Sequence, residues 1–175
     1  MTIAIRGATG GDVAAIDALL RSSFAQPQEA QLVQQLCIDG DMVLTLVADD
    51  DETGELAGMV AFSRMSVEID GKAIAAVALA PVAVAASHRS QGVGEALIAA
   101  GLKHLGDAGA MLAFVLGEPE YYGRFGFSVD WASGFASPYA GDYFMALPLQ
   151  GGAMPCGTRG QAIHAPAFAQ LSGEL

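Results

Sequence analysis

The residues best suited to chemistry lie in one stretch, Val82-Ala83-Val84-Ala85-Ala86-Ser87-His88-Arg89-Ser90-Gln91-Gly92-Val93-Gly94-Glu95-Ala96. An apolar run ends, a short turn carries Arg89, and two glycines open a segment with helical spacing. This is the make-up of an anion site. The first amides of a helix have no internal acceptor, and the helix dipole places partial positive charge there. Glycine lets a phosphate approach the backbone without meeting a Cβ. Gln91, Gly92, Val93 and Gly94 are therefore suited to turning their amides toward a pyrophosphate. Two common phosphate motifs are missing. A dinucleotide fingerprint needs a third glycine, where this chain has Leu97. A Walker loop needs Gly-Lys-Ser/Thr, which the sequence nowhere contains. What stands is R-x-x-G-x-G, from Arg89 to Gly94.

A second group of candidates follows the apolar run Met111 to Leu116. It reads Gly117-Glu118-Pro119-Glu120-Tyr121-Tyr122-Gly123-Arg124-Phe125-Gly126-Phe127. Pro119 suits the opening turn of a short helix, Tyr121 to Phe125, because proline at that position gives up an amide that has no partner anyway.

The elements that must position these groups follow from hydrophobic spacing. Residues 2 to 8 read as a strand, and Thr9 with Asp12 forms an N-cap pattern. Val13, Ile16, Leu20 and Phe24 then mark an amphipathic helix. After Pro27 a second helix carries Leu32, Val33 and Leu36 and stops at Gly40. Strands are expected over Met42 to Ala48 and Leu56 to Ile69, separated by a solvated acidic turn, Asp49 to Glu55. Asp70-Gly71 is a two-residue hairpin signal. Ile74 to Ala85 is apolar enough for a central strand, and Pro81 marks a bulge or a place where strands part. A helix from about Gly92 to Ala108 and strands Met111 to Leu116 and Tyr143 to Leu149 complete the pattern. The expected fold class is α/β, a mixed central sheet flanked by helices. Residues 1–150 are expected to form one domain, and 151–175 a Gly/Pro-rich extension packing on it.

The loop and the tyrosine segment together resemble the GCN5-related N-acetyltransferase superfamily. Its acyl-CoA loop reads Q/R-x-x-G-x-G/A, and its fifth strand is followed by an aromatic-Tyr-x-x-x-Gly-Phe signature, matched here by Tyr121, Tyr122, Gly126 and Phe127. Ala80-Pro81-Val82-Ala83-Val84 together with V-L-G-E-P-E-Y-Y-G-R-F-G-F is similar to the YhbS-like subgroup. The resemblance covers roughly residues 3 to 149. It implies a single domain with splayed parallel strands. Val82, Ala83 and Val84 would pair their backbone with the pantetheine arm of acetyl-CoA. Arg89, Ser90, Gln91, Gly92, Val93 and Gly94 would hold its pyrophosphate. Tyr122 would protonate the departing thiolate, a plausible assignment because free phenol and thiol pKa values are about 10 and 8.5. A backbone amide near Val84 would stabilise the oxyanion. Glu118 and Glu29 are both candidates for the base that deprotonates the amine.

The remaining chemistry-bearing residues read as structural. His88 is expected to be an exposed turn residue, His104 to lean to solvent, and His164 to lie in the tail. Cys37, Met59, Met111 and Met145 read as packing. The cysteines, Cys37 and Cys156, form no C-x-x-C, and no histidine pair has metal-ligand spacing. No metal is expected.

Composition narrows the partners. Of 175 residues, 8 are basic and 19 acidic, giving a net charge of −11 and a pI near 4.4. Nucleic-acid binding draws its affinity from cations on phosphates, so that role is not expected. The acidic balance leans toward a cationic acceptor. Mean hydropathy is +0.41, yet the longest apolar run, Ala73 to Ala86, is interrupted by Pro81 and falls short of the roughly 20 residues a membrane helix needs. The N-terminus has no apolar signal core, and a cytoplasmic location is expected. The expected function is transfer of an acetyl group from acetyl-CoA to a primary amine, on a small molecule or peptide, by direct attack in a ternary complex. The other reading is a non-catalytic acyl-CoA-binding or sensing domain. A homodimer is compatible with either.

Overall fold

The structure, a computed structural model, describes residues 2–151 and 154–170. Among the described residues seven strands and five α-helices follow one another along the chain: β1 (Ile3–Gly7), α1 (Val13–Ser23), α2 (Gln28–Asp39), β2 (Met42–Asp50), β3 (Leu56–Ile69), β4 (Lys72–Val84) and α3 (Val93–Asp107) come first. Then follow β5 (Leu112–Leu116), α4 (Pro119–Tyr122), α5 (Val129–Ala132), β6 (Phe144–Pro148) and β7 (Arg159–His164). The strands are hydrogen-bonded in the order β1-β2-β3-β4-β5-β6, with β7 paired to β3. β4 and β5 are parallel, while β1–β2, β5–β6 and β3–β7 are antiparallel. The mixed α/β sheet expected from the apolar pattern is the one observed. The described residues form two compact units, one of residues 2–62, 80–101 and 166–170, the other of 63–79, 102–151 and 154–165.

In the first unit, α1 and α2 close over β2 and β3. Ile16, Leu19, Leu20, Ala30 and Val33 pack with Val47, Met59, Ala61 and Ala83. The entry to α1 is fixed by charge. Arg6 forks onto Asp12 (2.8 and 2.9 Å) and reaches Asp49 (2.6 Å), while the Thr9 amide donates to Asp12 (2.7 Å). These bonds hold the Asp12 carboxyl well below the usual carboxylate range. The expected stripe needs one correction: Val13 continues the helical spacing but is exposed, because the packed face begins at Ile16. Cys37 is likewise exposed rather than packed, one residue beyond the buried Leu36 and rotated to the open side of α2. α2 ends at Gly40 with φ +74°, the left-handed cap that glycine adopts without strain. α3 lies close on β3. A Cβ on Gly58 would meet the Ala83 carbonyl at 2.9 Å and Leu97 Cδ1 at 3.0 Å.

In the second unit the Asp70-Gly71 turn has both φ positive, +55° and +74°, the geometry of a tight hairpin between β3 and β4. Phe114 of β5 lies edge-on to Phe135 and stacks on Phe144 of β6, at 5.4 Å in each case. Met59 and Met145 are fully buried, as expected, and Met111 is half-buried. Sequence reading left the segment after Gly151 without elements. It contains β7, in register with β3 at Met65↔His164 and Val67↔Ala162, and the strand is anchored by Asp70 exchanging bonds with Thr158 (both 2.7 Å). The expected extension 151–175 falls in part outside the described residues, at 152–153 and 171–175.

Candidate active site

The parallel ladder between β4 and β5 spans only Ala76–Ala78 with Leu112–Phe114, and β4 runs on to Val84. The ladder stops before Pro81, which has no amide to donate. Ala83 is buried, Val82 and Val84 are half-buried, and the strand is held at its end by Ala85 donating to Ala57 (2.8 Å). A single 3₁₀ turn, Ala86–His88, then delivers Arg89. Two residues of the loop that follows take left-handed conformations, Ser90 at φ +62° and Gly92 at φ +81°. The helical ladder of α3 opens with Ala96 donating to Gly92 (3.0 Å), so the amides of Val93 and Gly94 precede it. Val93 and Gly94 are buried, whereas Arg89, Ser90, Gln91 and Gly92 face solvent. Arg89 Nε reaches back to the Val84 carbonyl at 3.4 Å. A Cβ on Gly92 would meet no atom of the protein within 4 Å, so the fold itself needs glycine there only for its φ.

Glu29 sits in the first turn of α2. Its Oε2 is buried and has no hydrogen-bond partner among the described residues, as is true of Ser23 Oγ at the end of α1. Such oxygens are costly unless a donor reaches them. These residues share the first unit with the loop.

Tyr122 and Glu118 belong to the second unit. Glu118 is exposed and caps α4, its carbonyl accepting from the amides of Tyr121 (3.1 Å) and Tyr122 (3.0 Å). The Tyr122 ring lies against Gly117 at the end of β5, where any Cβ would approach ring carbon Cε2 to 2.5 Å. Its other faces meet Tyr121 (4.9 Å) and Phe127 (6.0 Å), both edge-on. The ring is thus held on three sides while no hydrogen bond within the described residues occupies its hydroxyl. Burial pushes the phenol up to about 12. Tyr121 turns instead to Phe125 and to the guanidinium of Arg124, which lies 4.8 Å over its ring.

Two expectations are overturned. His88 is buried instead of exposed, and Asp50, read as part of a hydrated turn, is buried with it: Nε2 and Oδ2 are 2.7 Å apart. The sequence offers no signal for this pair, since 38 residues separate its members. His104 is exposed as expected. His164, on β7 against Tyr139 and Phe144, is pushed down to about 4 by burial. Gly58 and Gly117 were also missed, because a close approach leaves no local pattern. Among the described residues no group of three or more His, Cys, Asp or Glu is placed to hold a metal, and no helix is long and apolar enough to cross a membrane.

Comparison with known proteins agrees with this geometry. The family model of the acetyltransferase (GNAT) domain matches residues 4–129. The chain is 44% identical over 118 residues to the uncharacterized N-acetyltransferase YhbS of Escherichia coli strain K12, covering 67% of this chain and 69% of that protein. The crystal structure of E. coli YhbS in complex with CoA superposes with a TM-score of 0.86 at 36% identity, covering 95% of this chain and 92% of that one. A GNAT family acetyltransferase from Brucella melitensis, in complex with acetyl-CoA, gives 0.77 at 28% identity over 95% and 98% of the two chains. A strand that outruns its parallel partner, a loop with left-handed residues opening a long helix, and this likeness along most of the chain have one explanation: the chain belongs to the GNAT acetyltransferase family.

Proposed function

We propose that this chain binds acetyl-CoA through Val82–Gly94 and transfers the acetyl group to a primary amine by direct attack. The observation that carries the reading is the loop. Ser90 and Gly92 turn left-handed immediately before α3, and the helix-opening amides of Val93 and Gly94 lie outside the helical ladder. That combination suits a pyrophosphate, and Arg89 adds a cation beside it. The backbone of Val82, Ala83 and Val84 would take the amide groups of the pantetheine arm, and an amide near Val84 would face the oxyanion. The relatives crystallised with CoA and acetyl-CoA support the same ligand.

The base and the acid then follow from charge. An amine near pKa 10.4 must lose a proton before attack. Glu29 is the better candidate, because its buried Oε2 lacks a donor that an ammonium group would supply. Exposed Glu118 is the second. Tyr122 keeps its proton at every working pH, since its phenol lies near 12. A thiolate is a weaker base than such a phenolate, so Tyr122 would stabilise the leaving sulfur chiefly as a hydrogen-bond donor. Attack without an acyl-enzyme is favoured by the lack of any described Ser or Cys beside a base of suitable geometry; the one Ser–His contact, Ser87 with His88, is committed to the Asp50 pair. The acidic surface favours a cationic acceptor.

The test is a panel of primary amines with acetyl-CoA, read by release of free thiol. Turnover with at least one amine at a rate above the amine-free control is expected. CoA binding without turnover across small amines, amino sugars, polyamines and lysine peptides would instead identify a non-catalytic acyl-CoA sensor.

A further inference from the structure

Four polar or charged side chains are buried among the described residues: Asp12, Asp50, Ser63 and His88. Asp12 serves the entry to α1. Asp50 and His88 have only each other as ionic partners, with side chains 5% and 6% exposed. Asp50 closes β2 and organises the acidic turn behind it. Its Oδ1 accepts from the Glu52 amide (2.9 Å), its own amide donates to Glu55 (2.9 Å), and its carbonyl accepts from Gly54 (2.7 Å). His88 ends the 3₁₀ turn, with Nδ1 2.8 Å from Ser87 Oγ. The hydrogen bond from His88 holds the Asp50 carboxyl below the usual carboxylate range.

A pair like this is a poor way to gain stability, since apolar side chains of equal volume commonly do as well. What it supplies is direction. With Nε2 held 2.7 Å from Oδ2, the imidazole fixes His88 to the end of β2 and narrows the paths open to the peptide that leaves it. The next residue is Arg89, followed by the left-handed Ser90 and Gly92. At its far end the loop is seated by buried Val93 on Gly58. Between those anchors the one side-chain bond among the described residues is the long one from Arg89 to Val84.

We propose that Asp50 and His88 are positioning residues for the loop, a buried brace from the end of β2 that sets Arg89 and the amides of residues 91–94 for a pyrophosphate. The inference rests on the loop being the pyrophosphate site. Neither residue touches the ligand. Their effect is preorganisation, so losing the brace should weaken ligands that carry the diphosphate and spare those that lack it.

The experiment is calorimetric titration of the full chain with CoA and, separately, with pantetheine, which ends before the diphosphate. In His88→Phe, which fills the space without a donor, CoA should bind roughly 10- to 30-fold more weakly while pantetheine changes less than about twofold. His88→Gln retains an N–H for Asp50 and should restore CoA affinity to within about threefold of wild type. The double variant Asp50→Leu/His88→Phe removes both polar side chains together and leaves no buried carboxylate without a partner, so it should fold where the single variant does not, and it should show the same selective loss. CoA affinity within twofold of wild type in His88→Phe or the double variant would overturn the brace, as would an equal loss for both ligands. The underlying reading fails in a different way: Gly92→Val would then bind CoA as tightly as wild type.

Discussion

The loop of the first unit and the tyrosine block of the second are built from different materials. At Arg89–Gly94 the groups proposed to bind are backbone amides, and sequence acts through conformation: left-handed Ser90 and Gly92, and a glycine at 94 in the first turn of α3. At Gly117–Phe127 the proposed group is one hydroxyl, and sequence acts through packing, with Gly117, Tyr121 and Phe127 holding the Tyr122 ring. The first arrangement is broken by changing a torsion preference, the second by removing an atom. A buried carboxylate–imidazole contact precedes the loop, whereas aromatic contacts surround the tyrosine.

That contrast is sharpest at Gly92. Gly92→Val places a β-branched residue at φ +81°, a conformation such residues avoid, and obstructs the approach of a phosphate. CoA binding should fall by roughly two orders of magnitude or more, and the stabilisation CoA gives wild type, about 2.7 kcal/mol at 100 times Kd, should vanish from a thermal shift. A CoA shift equal to that of wild type would place the pyrophosphate elsewhere.

Glu29→Gln comes next. It keeps the shape of a half-buried side chain and removes its basicity, so kcat/KM for the amine should drop by about 100-fold, the low end of general base catalysis. The loss should shrink as pH rises and the free amine becomes more abundant. If Glu118→Gln shows that behaviour and Glu29→Gln does not, the two acids exchange roles.

Tyr122→Phe tests the single-atom side of the comparison. The ring contacts survive, so CoA affinity should stay within about twofold while kcat falls about 10- to 100-fold, the mark of an interaction made only in the transition state. Tyr121→Phe should change kcat less than about threefold, because that ring faces Phe125 and Arg124. Equal rates for Tyr122→Phe and wild type in a chemistry-limited assay would leave Tyr122 as a wall.

The smallest effect concerns stability in the second unit. His164 has a folded pKa near 4 against 6.5 in the unfolded chain. As pH falls below 6.5 the unfolded state takes up a proton that the folded state refuses, so stability declines between about 6.5 and 4 and then levels. The decline should be on the order of 1–3 kcal/mol and should disappear in His164→Phe, whose ring can keep the contacts with Tyr139 and Phe144. Asp12 and Asp50 act in the opposite window. Their lowered pKa values stabilise the fold above about 4 and the contribution is lost below it, so a Tm curve that bends only under pH 4 would count against His164.

Local patterning was enough for the strands from β1 to β6, the two-residue hairpin at Asp70-Gly71 and the loop Arg89–Gly94, because each depends on neighbours in the chain: alternation, capping, turn torsions and helix opening. It also put Tyr122 on a short helix after β5. It failed at β7, whose residues Arg159 to His164 have no marked alternation and become a strand only because β3 outruns β2 and offers an edge. It failed at Gly58 and Gly117, which are glycine because of a carbonyl or a ring from distant sequence. It failed most plainly at Asp50 and His88. Each alone reads as a surface residue, since a buried charge is costly and nothing nearby compensates it. Their burial became affordable only when folding brought a carboxylate and an imidazole to 2.7 Å across 38 residues. Local torsion and periodicity are properties of short segments and are written in the sequence. Desolvation and ion pairing belong to atoms that meet only after the chain has closed, and these the tertiary structure decided.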